Sequence, residues 1–209
     1  GSWAAVMGAY YYDGEACGGF NVVLGLFNLT SLTSGCVQTD SISVYGDATW
    51  SISDRWNLSF GGRWNEDDKK ASVFVGQYLG TVLGPDTALD KDNMPSDFIL
   101  LSTQSDYTNS RKFDDFTPRI SLDYLFTEDI MGYVSYTNGF KSGGFDMRGN
   151  EALYPETRDG YDSETVDNYE LGLKTSWLDG QLVFNATAFF ADYSDVQITT
   201  QQFVDVNGV

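Results

Sequence analysis

Apolar and polar residues alternate strictly along several stretches of this chain. In residues 42–52, side chains such as Ile42 and Trp50 interleave with Ser43 and Thr49. Because successive side chains of a β-strand point to opposite faces, this alternation predicts a strand with one apolar and one polar face. The pattern returns in residues 56–65, 116–126, 130–137, 168–177 and 182–190. Residues 3–12 are apolar throughout and are predicted as a strand from their length, which makes seven strands.

The predicted strands are joined by short and long connections in alternation. Short turns are predicted at residues 53–55, 127–129 and 178–180, and long loops at about 13–40, 66–115 and 138–165. Compact soluble domains rarely contain loops longer than about 15 residues. Transmembrane barrels combine short periplasmic turns with long extracellular loops, and their strands need roughly 9–11 residues to cross the bilayer. The chain is therefore predicted to be all-β, an antiparallel transmembrane β-barrel segment.

Large aromatic residues collect at both ends of the predicted strands. One group lies near the short turns and the other toward the long loops: Trp50, Trp56, Tyr124, Phe126 and Trp177, then Tyr10, Tyr11, Tyr12, Trp64, Phe116 and Phe190. Two such belts are typical of the aromatic girdles at the membrane interfaces. A soluble β-sandwich is the alternative, since its strands also alternate, but it explains neither the belts nor the one-sided loops.

Composition narrows the possible functions. The net charge of -18, from 30 acidic and 12 basic residues, argues against a nucleic-acid partner, which requires a basic surface. The absence of histidine removes imidazole metal sites, and no nucleophile paired with a base is visible. No apolar run is long enough for a membrane-spanning helix. The sequence predicts no catalytic residue, no metal site, no cofactor and no enzymatic activity.

Cys17 and Cys36 are the two cysteines of the chain. Both lie in a stretch rich in Gly, Ser, Thr and Asn, where a disulfide would staple a loop of about 20 residues and stabilise it by about 3 kcal/mol in the chain-entropy model. Free thiols are the alternative. A disulfide would indicate an oxidising compartment such as the periplasm.

Several segments, in the same order along the chain, resemble the strands of TonB-dependent outer-membrane receptors. Residues 130–145 (IMGYVSYTNGFKSGGF) resemble a strand with the entry to its loop, and residues 164–174 (ETVDNYELGLK) resemble the strand that follows. Residues 181–193, 44–50 and 58–64 fit the same family. The resemblance covers most of residues 40–200 and implies about seven strands of a 22-stranded barrel in the bacterial outer membrane.

The resemblance also implies a function and partners. Family members take up a scarce nutrient, such as a ferric siderophore, through a barrel that contains an N-terminal plug and is driven by the TonB energy-coupling complex. Neither a plug domain nor an energy-coupling box is recognisable in this chain, and residues 201–209 read as the start of an extracellular loop. The expected partners are outer-membrane lipid and lipopolysaccharide, the remaining barrel and plug, the TonB complex through that plug, and a small-molecule nutrient complex.

Two other functions remain open from the sequence. One is a structural barrel segment within a larger outer-membrane assembly. The other is a soluble carbohydrate-binding β-sandwich, whose exposed aromatic rings would stack on sugars.

Six residues are candidates for ligand binding. Arg119, Glu170 and Lys174 fall on the polar, lumen-facing sides of their strands, where they guide a charged ligand, grip the plug, or form a salt-bridge network in the wall. In residues 139–145, Lys141 offers a cation, and Phe140 and Phe145 offer aromatic faces to a ligand. The alternative for this segment is a loop-entry turn with no ligand contact.

Overall fold

All seven strands belong to one antiparallel sheet in which each strand pairs with the next along the chain. The computed structural model describes residues 1–81, 89, 91–92 and 94–199. The strands are β1 (Ser2–Leu24), β2 (Leu29–Ser51), β3 (Trp56–Leu79), β4 (Ile99–Thr127), β5 (Ile130–Lys141), β6 (Glu164–Trp177) and β7 (Leu182–Ser194). Two short 3-10 turns, Gly25–Phe27 and Pro155–Asp159, lie in the connections.

The predicted all-β antiparallel fold with seven strands is confirmed. Because the strands form a single sheet, the alternative of a two-sheet sandwich is wrong. No helix in the described part of the chain has the length and apolar character required to cross a membrane.

The three short turns lie where the alternation predicts them. They connect β2 to β3, β4 to β5, and β6 to β7. In the third, Leu178, Asp179 and Gly180 all have positive φ angles, of 55°, 53° and 83°. Aspartate and glycine tolerate this left-handed conformation better than most residues, which explains the Asp-Gly pair at this turn.

The long loops are shorter than the sequence predicts, because the strands continue into them. In the predicted loop 13–40, β1 runs on to Leu24 and β2 begins at Leu29, so that only residues 25–28 connect them. In the predicted loop 66–115, β3 continues to Leu79 and β4 begins at Ile99. Residues 142–163 form the third connection, close to the predicted 138–165. Residues 82–88, 90, 93 and 200–209 lie outside the described residues, and with them the expected loop at 201–209.

Backbone pairing explains why the prediction failed there. Cross-strand partners continue without a break from Leu29 paired with Leu79 to Ser51 paired with Asn57. Residues 29–40 of β2 are rich in Ser and Thr, and neither they nor residues 68–79 of β3 show a clean apolar–polar alternation. Hydrogen bonding to neighbouring strands satisfies the backbone regardless of that pattern.

The sheet has one face that we call the polar face and one that we call the apolar face. Arg63, Arg119 and Lys174 belong to the polar face, whereas Phe60 and Ile120, which are register partners, belong to the apolar face. A strand of 24 residues such as β3 is about 80 Å long, far more than the roughly 25 Å apolar band of a membrane barrel. We call residues 41–51, 56–67 and 114–127 the proximal halves of β2–β4, and residues 29–40, 68–79 and 99–113 their distal halves.

Two buried clusters lie on opposite faces of the distal halves. On the polar face, Phe145 from the β5–β6 connection packs on β3 and β4, in the cluster Ala71, Val73, Val75, Tyr107 and Phe145. On the apolar face, the β3–β4 connection supplies Leu89 to the cluster Leu32, Phe74, Tyr78 and Leu89. The buried core is therefore built where the strands extend beyond the proximal halves.

Candidate functional site

Cations of the strands are concentrated on the polar face of the sheet. By cross-strand register, this face carries Arg63, Lys69, Arg111, Arg119, Lys141 and Lys174, and the apolar face carries Lys70 and Lys112. In a chain with a net charge of -18, this distribution makes the polar face the part of the sheet best suited to hold an anion.

A cleft lies on the polar face where the proximal halves end. It consists of two adjoining hollows of about 510 and 490 Å³ that share Arg63, Thr117 and Asn138. The first is also lined by Ser41, Asn65, Asp67, Phe140 and Lys141, and the second by Tyr45, Asp47 and Arg119. The lining of this polar cleft includes three predicted site residues, Arg119, Phe140 and Lys141. By strand register, Arg119 and Lys141 lie on the polar face and Phe140 lies on the apolar face.

Arg63 stands at the centre of the polar cleft with its charge available. Its Nε donates a hydrogen bond to Oδ1 of Asn65 at 2.6 Å, and its guanidinium carbon lies 5.7 Å from the ring centroid of Tyr10. The side chain is exposed, and no carboxylate of the described residues lies within 4.0 Å of its nitrogens. Arginine presents several N–H donors in a planar fork, which suits carboxylate or other oxyanion ligands.

Two further cations line the cleft and differ in how strongly they are paired. Nε of Arg119 lies 3.1 Å from Oδ2 of Asp47, a hydrogen-bonding distance. Nζ of Lys141 lies 3.8 Å from Oε2 of Glu164, which is too long for a hydrogen bond. Lys141 is therefore freer than Arg119 to contact a ligand.

Glu170 and Lys174 lie on β6, apart from the cleft. Glu170 accepts hydrogen bonds from Nδ2 of Asn168 at 2.9 Å and from the hydroxyl of Tyr133 at 3.4 Å. Nζ of Lys174 lies 5.4 Å from the ring centroid of Tyr133. The Tyr133 ring lies over Gly172, where a Cβ atom would overlap it. These contacts favour a polar network in the wall, and a ligand or plug contact for either residue stays a prediction.

Phe145 does not lie in the cleft. Its side chain is 8% exposed and packs against Val73 and Tyr107. Phe145 also lines a separate hollow of about 690 Å³ with Lys141 and Arg148, so that a ligand contact of its ring stays a prediction. Its role is to fix the β5–β6 connection on the distal halves.

Cys17 and Cys36 form the predicted disulfide, with an S–S distance of 2.07 Å. They are register partners on β1 and β2, so that the bond joins two paired strands and does not staple a loop. Together with Glu15 they form a group of ligand atoms close enough for a metal ion among the described residues. With both sulfurs in a disulfide, no thiolate is offered to a metal.

Sequence reasoning did not select Arg63, Thr117 and Asn65 as site residues. The alternation places Arg63 and Asn65 on the polar side of their strand, so that the signal for their face was present. Their neighbours were not visible, because Thr117 pairs with Arg63 from a strand more than fifty residues away.

Comparison with known proteins finds one family over the whole chain. A family profile described as "TonB dependent receptor-like, beta-barrel" matches residues 1–209. The chain is 23% identical over 166 residues to the pesticin receptor of Yersinia enterocolitica, and equally to that of Yersinia pestis, covering 79% of this chain and 20% of the receptor.

Two solved structures resemble the fold. The ferric yersiniabactin uptake receptor FyuA from Yersinia pestis matches with a TM-score of 0.70 and 18% identity, over 95% of this chain and 27% of that chain. The ferric-catecholate import receptor Fiu from E. coli K12 matches with a TM-score of 0.55 and 14% identity, over 91% and 30% respectively. The chain thus spans about a fifth of the pesticin receptors and under a third of either structure.

Proposed function

The chain belongs to the TonB-dependent receptor-like β-barrel family, whose members lie in the bacterial outer membrane, and from this premise we propose that it contributes a ligand-binding wall to a nutrient uptake receptor. The proposed nutrient is an anionic metal complex such as a ferric siderophore. The proposed role is binding and import, and not an enzymatic reaction.

The polar cleft carries this proposal. Arg63 has no carboxylate partner among the described residues, and Lys141 has only a distant one. A guanidinium without an ion-pair partner, beside the hydroxyl and amide groups of Thr117 and Asn65, favours binding of an oxyanion. The names of two relatives, which refer to ferric yersiniabactin and to ferric catecholates, agree with a ligand of this class.

In the proposed mechanism, the polar face lines the interior of the completed barrel, and the distal halves extend toward the outside of the cell. The ligand enters between the distal halves and reaches the polar cleft at their base. Other parts of the receptor complete the barrel and its plug, and the TonB complex supplies the energy that releases the ligand inward. Lipid and lipopolysaccharide surround the apolar face.

Binding by the full-length protein that contains this chain tests the proposal. The protein is purified in detergent, and the dissociation constants of ferric yersiniabactin and of a ferric catecholate complex are measured. The variants Arg63→Ala and Lys141→Ala each remove one cation of the cleft, and we expect roughly 10-fold weaker binding, the effect of losing one charged hydrogen bond.

The variants Lys70→Ala and Lys112→Ala are the matched controls, because they remove the same charge from the apolar face. We expect them to bind like the parent. Equal losses of affinity in the two cleft variants and in the two control variants would show that binding depends on the net charge of the protein and not on the cleft. Failure of the parent to bind any ferric complex would reject this ligand class and favour a structural segment of a larger assembly.

A further inference from the structure

The two residues that follow Lys141 are held from the β3 side by one lysine. Nζ of Lys69 donates a hydrogen bond to Oγ of Ser142 and another to the carbonyl oxygen of Gly143, both at 2.7 Å. Lys69 is more than seventy residues away along the chain, on β3, and reaches past β4 to make these contacts. Lys69 therefore connects β3 to the start of the β5–β6 connection.

A glutamine from the segment after β7 also holds Ser142. Nε2 of Gln197 donates to the carbonyl oxygens of Ser142 at 3.1 Å and Asp162 at 3.0 Å. Its backbone N–H donates to Oε2 of Glu164 at 3.1 Å, the carboxylate that faces Lys141. Gln197 thus joins both ends of the β5–β6 connection to the segment after β7.

Close packing prevents these residues from shifting independently. A Cβ atom at Gly143 would overlap the carbonyl oxygen of Tyr161 and the ring of Phe113. Gly144 and Tyr161 exchange two backbone hydrogen bonds, of 3.1 and 2.8 Å. A movement of the backbone after Lys141 must therefore break the contacts of Lys69, of Gln197, or of this backbone pair.

The charge of Lys69 is costly for stability. The ammonium is half-buried, and no carboxylate of the described residues lies within 4.0 Å of it. Burial lowers the pKa of Lys69, only partly opposed by the charge of Asp67, so that Lys69 holds its proton less strongly in the fold than in the unfolded chain. A methionine would fill the same space beside Phe113 without this cost. A methionine could not donate the two hydrogen bonds that Lys69 makes.

We propose that Lys69 and Gln197 are positioning residues that hold Lys141 at the rim of the polar cleft in the geometry that receives the ligand. This inference rests on the proposed function, because it assigns the two residues a role through Lys141. A rim fixed before the ligand arrives lowers the entropy lost on binding, and this preorganisation increases affinity.

The test uses the full-length protein and two readouts. Lys69→Met removes both hydrogen bonds at similar side-chain length, and Gln197→Ala removes the second anchor. We expect amide hydrogen exchange of residues 141–144 to rise about tenfold in each variant, and the affinity for a ferric siderophore complex to fall about tenfold. Lys69→Arg retains donors for both acceptors and should restore affinity.

Ser105→Ala is the matched control, because it releases the same connection at a different point. Oγ of Ser105 donates to the carbonyl oxygen of Gly149 at 2.7 Å and accepts from the backbone N–H of Glu151 at 2.9 Å. This variant should raise exchange near residues 149–151 and leave ligand affinity unchanged. A general loosening of the connection would instead weaken binding in both variants.

Besides weaker binding in Ser105→Ala, three outcomes would overturn the proposal, and they are distinguishable. Unchanged exchange of residues 141–144 in Lys69→Met would show that Lys69 does not hold the segment. Faster exchange with unchanged affinity, in a parent that binds, would overturn the positioning role alone. A parent that binds no ferric complex would reject the proposed function and the positioning role with it.

Discussion

The proximal and distal halves of β2–β4 belong to the same strands but differ in how exposed their apolar side chains are. In the distal halves, Leu32 and Phe74 are 0% and 6% exposed. In the proximal halves, Phe116 and Ile120 are 57% and 47% exposed. Connections cover parts of both faces of the distal halves, although Ile99, Leu100 and Leu101 at the start of β4 stay exposed. The apolar face of the proximal halves is open.

The difference follows from the surroundings of each half. An apolar face in contact with lipid needs no protein cover, because hydrocarbon is as apolar as the side chains. Strands that extend beyond the bilayer meet water, where an uncovered apolar face costs roughly 25 cal/mol per Å². The two connections supply that cover, and the distal halves therefore have a core of the kind found in soluble proteins.

A large-to-small substitution should separate the two halves most strongly. We expect Phe74→Ala to lower the free energy of unfolding by about 3–5 kcal/mol, because it leaves a cavity among Leu32, Tyr78 and Leu89. Phe116→Ala should cost clearly less, since lipid fills the vacated space. Urea unfolding of the full-length protein in lipid vesicles measures both, and equal losses would contradict the comparison.

A charged substitution should distinguish the two faces of the proximal halves. Ile120 lies on the apolar face, midway between the aromatic residues Phe116 and Tyr124, and Ile120→Arg should cost about 2–4 kcal/mol in the same unfolding measurement. The adjacent Ser121 lies on the polar face near Asp123, so Ser121→Arg should be nearly neutral. A similar cost for both variants would mean that the polar face also lies against lipid.

Removal of the disulfide should affect the distal halves only. We expect the double substitution Cys17→Ser and Cys36→Ser to lower the unfolding free energy by about 2–3 kcal/mol. Amide exchange should rise in the distal part of the β1–β2 pair and stay unchanged in residues 41–51. A reductant should reproduce the effect in the parent and do nothing to the double variant, and a change spread over the whole sheet would count against this local role.

Acid should loosen the β5–β6 connection on the distal halves, and we expect this effect to be smaller than that of removing the disulfide. Hydrogen bonds from Arg148 lower the pKa of the Asp146 carboxyl, outweighing its partial burial. A carboxyl with a lowered pKa stabilises the fold above its unfolded value, and this contribution is lost as pH falls through the folded pKa. Proteolysis of residues 142–163 should therefore increase below about pH 4. Asp146→Asn should remove this pH dependence, and an unaltered profile in that variant would assign it to another group.

Local patterns predicted the proximal halves well and the distal halves poorly. The turns at residues 53–55, 127–129 and 178–180 were found because short turns need particular residues, and the strands beside them because one face is apolar and the other polar. Residues 66–79 and 99–115 show no such contrast between faces, so their strand structure was missed. The cleft was found only in part: Lys141, Phe140 and Arg119 line it, whereas Phe145 is buried in the core.

By itself, the sequence determined the all-β class, the number of strands, the short turns, the polar and apolar faces, and the family. These features depend on residues close together along the chain, through strand alternation and turn chemistry. The tertiary structure alone decided how far the strands extend, which connection covers which face, and which charges meet in the polar cleft. These depend on pairing between distant segments, as when Lys69 reaches Ser142, and local periodicity carries no information about such contacts.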